Sequence, residues 1–168
     1  MAKSKYDIMR VMKSKNVKKR IGFDLDGVLA DHAKNRKKTT KSLGLKENSE
    51  EVKEIIYGEL SLTAGVIKGA KKAVRTLDKD FELFVISRRR QKHGRYAMAW
   101  LKENFNFSPK NIFFVDKKKD KADVVKKLGV GFFIDDDASV LGLIPDNVKK
   151  FLFTGSFDEF LELVKKEK

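Results

Sequence analysis

The chain has 168 residues, 41% hydrophobic and 37% charged, with 38 Lys and Arg against 24 Asp and Glu and a formal net charge of +14. That length fits one domain with room for a small insertion, and the apolar share is enough for a real core. The lack of cysteine excludes a disulfide framework, a thiolate metal site and a cysteine nucleophile. No run approaches the ~18 apolar residues of a membrane span, and the basic N-terminus has no apolar signal core, so a cytoplasmic location is expected. The positive balance favours anionic partners such as nucleotides, nucleic acid or phosphorylated metabolites, with plain solubility charge as the alternative.

In chain order, residues 1–19 form a basic N-terminal extension. Lys3, Lys5, Arg10, Lys13, Lys15, Lys18 and Lys19 stand against Asp7 alone. Ile8, Met9, Val11, Met12 and Val17 give an amphipathic hint, and a docking helix, a basic tail and a disordered segment all fit. An apolar run predicts the first strand over 20–24. Residues 32–43 read as helix, and Asn48 with Glu51 is a cap pair opening another helix through Tyr57. Ala70, Ala73, Val74 and Leu77 mark a helix over 69–78. A second strand spans 81–86, and a helix follows over about 90–105. Ser108-Pro109 breaks the chain before a strand at 111–115. A helix over 120–128 closes at Gly129, and the strand 130–134 follows. A final strand at 150–153 leads to a helix opened by a capping box of Ser156 and Glu159. Trp100 with Ala97 and Phe105, and the strand residues Phe113, Phe114, Phe132 and Phe133, read as core.

Strands alternating with helices imply crossovers and parallel pairing. The expected fold is α/β, a Rossmann-like three-layer sandwich over residues 20–168 with a mostly parallel five-stranded sheet. Residues 32–65 are extra to that repeat and read as a small helical cap insertion.

The chemistry concentrates where strands end. Residues 21–31 read IGFDLDGVLAD. A strand that stops on Asp24 and Asp26 and turns at Gly27 puts both acids at the carboxyl edge of the sheet, where ligands bind in open α/β folds. Crowded carboxylates repel unless a cation or a shared proton sits between them. Ser87 ends the second strand, and a hydroxyl there can donate to a phosphate oxygen. Lys121, near a helix start, opposes the helix dipole and is better explained if it faces an anion. Asp135, Asp136 and Asp137 crowd three more acids after a buried strand.

The spacing D-x-D-G-V resembles the first motif of the haloacid dehalogenase-like (HAD) hydrolases, most of which are magnesium-dependent phosphatases. FVISRRRQKHGRYAMAWLKENF resembles their second motif with its following helix, and KADVVKKLGVGFFIDDD is similar to the small 5′-nucleotidase-like members. The resemblance covers about residues 20–140. It implies Asp24 as the nucleophile that becomes an aspartyl-phosphate, and Asp26 as the acid and then the base. It implies Ser87, Arg88 and Lys121 as phosphate ligands. Mg²⁺ would be held by Asp24, Asp135 and Asp136 with Asp26, the last through its backbone carbonyl, and Asp137 would be a neighbour. Phosphoryl transfer needs positioning and charge neutralisation above all, and Mg²⁺ takes hard oxygen ligands, so residue types and roles agree.

Lys34, Arg36, Lys37, Lys38 and Lys41, the cluster Arg88, Arg89, Arg90, Lys92 and Arg95, and Lys117, Lys118 and Lys119 suggest an anion-guiding rim. His32 and His93 read as ordinary surface residues. The expected activity is Mg²⁺-dependent hydrolysis of a nucleotide or other small phosphorylated metabolite. A phosphatase of nucleic-acid ends and a non-catalytic module that binds nucleic acid or protein are the rivals. Oligomeric state is not legible.

Overall fold

The computed structural model describes residues 18–167, so the alternatives for the basic extension lie, but for Lys18 and Lys19, outside the described residues. The central strand is β1 (Arg20–Phe23), flanked by β4 (Glu82–Ser87) and β6 (Phe132–Asp135), with β5 (Ile112–Phe114) and β7 (Lys149–Leu152) outermost. The order is β5-β4-β1-β6-β7, and every neighbouring pair is parallel. The fold is the expected Rossmann-like α/β sandwich.

The strands are apolar on both faces, as a sheet covered on both sides requires. Ile21, Phe23, Leu83 and Val85 face a core shared with α3 (Ala70–Asp78), α4 (Gly94–Asn104) and α7 (Asp158–Lys165). Phe84, Ile86 and Phe133 face a second core under α5 (Lys118–Leu128) and α6 (Ala138–Leu141). Gly22 leaves the space that the Phe133 ring fills, since a Cβ there would lie 2.7 Å from the ring. In α3 the apolar residues fall at helical spacing with Lys71, Lys72 and Arg75 outward.

Residues 32–65 are built differently. Helices α1 (Ala33–Leu43) and α2 (Glu50–Tyr57) and a 3₁₀ turn (Glu59–Thr63) rise on a two-stranded antiparallel ribbon of β2 (Ala30–Asp31) and β3 (Gly65–Val66). That ribbon is not foreseen in the sequence, because two residues per strand carry no alternation. Ser49, not Asn48, caps α2, accepting the N–H of Val52. Trp100 in α4 donates its indole N–H to Ala64 O at 2.9 Å, tying the insertion to the core. Three elements differ from expectation at their starts. A 3₁₀ turn (Gln91–His93) precedes α4. Helix α5 begins two residues early, at Lys118. Ser156 accepts the N–H of Asp158 instead of closing a capping box with Glu159, because the chain turns helical only after Phe157.

Candidate active site

Asp24 follows β1 directly, and its N–H still donates to Ile134 O at 2.9 Å. Its carboxylate is thereby fixed beside Asp135, the last residue of neighbouring β6. Beyond it the chain folds tightly. Leu25, Val28 and Leu29 are wholly buried, and Leu25 O accepts from both Leu29 and Ala30 at 2.9 and 2.8 Å. Gly27 has φ +90°, and a Cβ there would lie 2.1 Å from Asp136 Oδ2. The turn brings the Asp136 carboxylate over the backbone in space that only glycine leaves open.

Lys121 links the two strand ends from below. Its side chain is buried, with Nζ 2.8 Å from Asp24 Oδ1 and 2.7 Å from Asp135 Oδ2. Burial opposes its charge, yet Asp24 and Asp135 raise its pKa above the ordinary lysine value. Asp135 also accepts the N–H of Asp137 at 2.8 Å. Burial pushes the Asp24 carboxyl up, with Lys121 opposing and Asp135 and Asp26 adding repulsion. Asp136 is raised by burial and then by Asp135. Carboxylate oxygens of Asp24, Asp135 and Asp136 all lie within 4.8 Å of one another. Three ionised carboxylates facing one ammonium would leave a double negative charge, which the raised Asp24 and Asp136 resist, and all the donors are hard oxygens. A divalent cation such as Mg²⁺ fits that set.

Asp26 has separate partners. His32 Nε2 lies 2.8 Å from its Oδ1, Arg89 bonds both oxygens, and Ser87 Oγ is 3.5 Å from Oδ2. Burial would raise its pKa, but the Arg89 guanidinium and His32 hold it well below the usual carboxylate range. The Tyr57 ring closes this group, under the Arg89 guanidinium at 4.9 Å and edge-on to His32 at 5.4 Å.

All seven candidate positions from the sequence, Asp24, Asp26, Ser87, Arg88, Lys121, Asp135 and Asp136, line one cavity of about 210 Å³. Ser87 is buried in it and Arg88 stands exposed at its rim. The Asp26 side chain is not part of the acidic trio. Asp137 points away to Lys118 and caps α6. Two expectations are corrected. His32 is buried against Asp26, and His93 is buried with Nε2 3.0 Å from Glu54. Arg89, expected on the basic rim, is instead buried against Asp26 just past the end of β4, and Tyr57 is an addition. In the run Arg88–Arg90 nothing in the sequence marks the middle residue. A second cavity of about 450 Å³ under the insertion shares Asp26, Tyr57 and Asp136 with the first and adds His32, Arg36 and Lys37.

No family model matches the chain. A presumed nucleotidase of Oceanobacillus iheyensis is 27% identical over 89 residues, 52% of this chain and 47% of that protein. The match thus spans about half the length of the curated relative. Among solved structures, a HAD-superfamily hydrolase of subfamily IA from Geobacter sulfurreducens aligns at TM-score 0.58 and 14% identity, over 90% of this chain and 99% of that one. The class C acid phosphatase of Bacillus anthracis with tungstate bound aligns at 0.57 and 18%, over 97% and 66%. A HAD-family enzyme of Bacteroides thetaiotaomicron in complex with magnesium and inorganic phosphate aligns at 0.50 and 11%, over 84% and 98%. At such identities the likeness is one of fold, and the fold is that of the HAD hydrolases.

Proposed function

We propose that this chain is a Mg²⁺-dependent phosphomonoester hydrolase that works through an aspartyl-phosphate on Asp24. One observation carries the reading: Asp24, Asp135 and Asp136 share a pocket with a single ammonium, beside Ser87 and a separately held Asp26. The magnesium and phosphate of the Bacteroides enzyme and the phosphatase activity named for the Bacillus protein support it.

Asp24, Asp135 and Asp136 would hold the cation, together with the backbone carbonyl of Asp26. Bound there, Mg²⁺ lets an anionic carboxylate approach an anionic phosphate. Lys121 favours the ionised form of Asp24 against burial and orients it, and Lys121, Ser87 and Arg88 bind the phosphoryl oxygens. An Asp24 oxygen forms the new bond to phosphorus as the ester P–O bond breaks, and the leaving oxygen takes its proton from Asp26. Asp26 then accepts a proton from the water that attacks phosphorus, which frees phosphate and restores Asp24. In its observed position Asp26 is held ionised by Arg89, so acting as the acid requires it to exchange Arg89 for the leaving oxygen. The insertion over 32–65 serves as the cap above this cleft.

The test is phosphate release from an aryl phosphate, nucleoside monophosphates and sugar phosphates, with and without Mg²⁺. Turnover that needs Mg²⁺ and falls by orders of magnitude in Asp24→Asn, with an unchanged circular dichroism spectrum, is the expected result. A wild-type protein that releases phosphate from none of them, or an Asp24→Asn protein as active as wild type, ends the reading.

A further inference from the structure

The basic groups at the rim fall into two sets. Arg89 is spent on Asp26, Arg90 on Glu50 and Glu54, Lys92 on Glu54 and Lys118 on Asp137. Helix α1 is the opposite case. Its sequence, AKNRKKTTKSL, contains no acid. Lys34, Lys37, Lys38 and Lys41 are exposed, and none has an ion-pair partner among the described residues. Their spacing of three, four and seven residues puts them on one stripe, while Asn35 and Thr39 turn inward.

That stripe is costly in isolation. Like charges three and four residues apart on a helix repel by about 0.2–0.5 kcal/mol per pair, and Lys34 in the first turn also opposes the helix dipole. A polyanion lying along α1 removes both penalties. Seven residues of helix span roughly 10 Å, long enough to face more than one phosphate. The stripe also leads into the cleft. Lys37 and Arg36 line the 450 Å³ cavity that reaches Asp26 and Asp136. Arg36 donates to Glu47 O at 2.8 Å and has no carboxylate partner among the described residues. Lys34, Lys38 and Lys41 lie outside that cavity, so a substrate that ends inside it never meets them. Only a charged chain that continues out of the cleft does. Lysine is depleted at protein–protein interfaces and abundant at nucleic-acid ones, which favours a phosphodiester chain over an acidic protein.

We propose that α1 is a backbone-contact ridge that guides the phosphorylated end of a single-stranded nucleic acid into the cleft. This inference rests on the phosphatase reading for the identity of the reacting group, and the stripe assigns the rest of the substrate.

The experiment compares the full chain with its Lys34→Gln/Lys38→Gln/Lys41→Gln variant. Substrates are an aryl phosphate, a nucleoside monophosphate, single-stranded oligonucleotides of two to eight residues phosphorylated at either end, and a phosphopeptide. Binding of the same oligonucleotides is followed by fluorescence anisotropy across a salt series. The expected result is a kcat/KM that climbs with oligonucleotide length in wild type and falls at least fivefold in the variant, with aryl phosphate turnover equal in both. The slope of log affinity against log salt drops by about 2 in the variant, near 0.7 for each lost single-strand contact. Length-independent turnover, equal affinity and slope in the two proteins, or a phosphopeptide preferred over every oligonucleotide overturns the proposal and leaves the phosphatase reading standing. If no substrate is hydrolysed, the phosphatase reading fails separately, and the anisotropy comparison still decides whether α1 holds the chain.

Discussion

The carboxyl edge of the sheet and the insertion above it use charge in opposite ways. At the sheet edge most of the ions are buried and paired: Lys121 sits between Asp24 and Asp135, and Arg89 grips Asp26, while Asp136 is exposed and has no ion-pair partner among the described residues. On the insertion the ions are exposed. Glu50 and Glu54 pair with Arg90 and Lys92 at the surface, and the α1 lysines have no ion-pair partner among the described residues. Buried pairs fix geometry, because breaking one strands a charge in a low dielectric. Exposed pairs hold weakly and can be exchanged. On the proposed function, reaction geometry would belong to the sheet edge, and choice of substrate to the insertion.

Breaking the buried side gives the largest effect. Lys121→Met leaves Asp24 and Asp135 without their cation and is expected to cost about 3–5 kcal/mol in urea unfolding without Mg²⁺, with activity lost. Gly27→Ala is next. Its Cβ collides with Asp136 Oδ2 at φ +90°, which adds about 1–2 kcal/mol of backbone strain and displaces one carboxylate of the acidic trio. Mg²⁺ affinity measured by calorimetry should fall about tenfold or more, since 1.4 kcal/mol is one decade.

The acidic edge around Gly27 stands out in the sequence, and Lys121, one lysine among many, does not. IGFDLDGV, FVIS and VGFFIDDD each put an apolar run directly before polar groups, and parallel strands carry such ends to one edge. Sheet, edge and acid cluster were therefore readable together. The partners of Asp26 were not. Arg89 is one of three adjacent arginines, and His32 follows a polar residue at the foot of an insertion. Both pack against Tyr57, twenty-five positions after His32 and thirty-two before Arg89, in a helix whose packing no local pattern encodes. The β2–β3 ribbon was too short to leave a periodic signal.

Arg89→Gln probes the buried side through pH. Asp26 is held below its unfolded value near 3.9, so its pairing supports stability above that pH and is lost on acidification toward the folded value. Without Arg89, burial is opposed by His32 alone, so the Asp26 pKa rises toward its unfolded value. The stability lost on acidification below about pH 4 should then be smaller in the variant than in wild type in urea titrations. Glu54→Gln on the insertion is the smallest change expected. Its unfolding midpoint should match wild type, with a higher KM at unchanged kcat as the link from α2 to Arg90, Lys92 and His93 loosens.

Three carboxylates around one ammonium would make a pocket for a single divalent cation. Thermal unfolding across a Mg²⁺ titration, run on wild type and Asp136→Asn, decides the matter. A saturable rise in Tm for wild type that is largely lost in Asp136→Asn is the predicted outcome, and an equal rise in both proteins, or none in wild type, would contradict it.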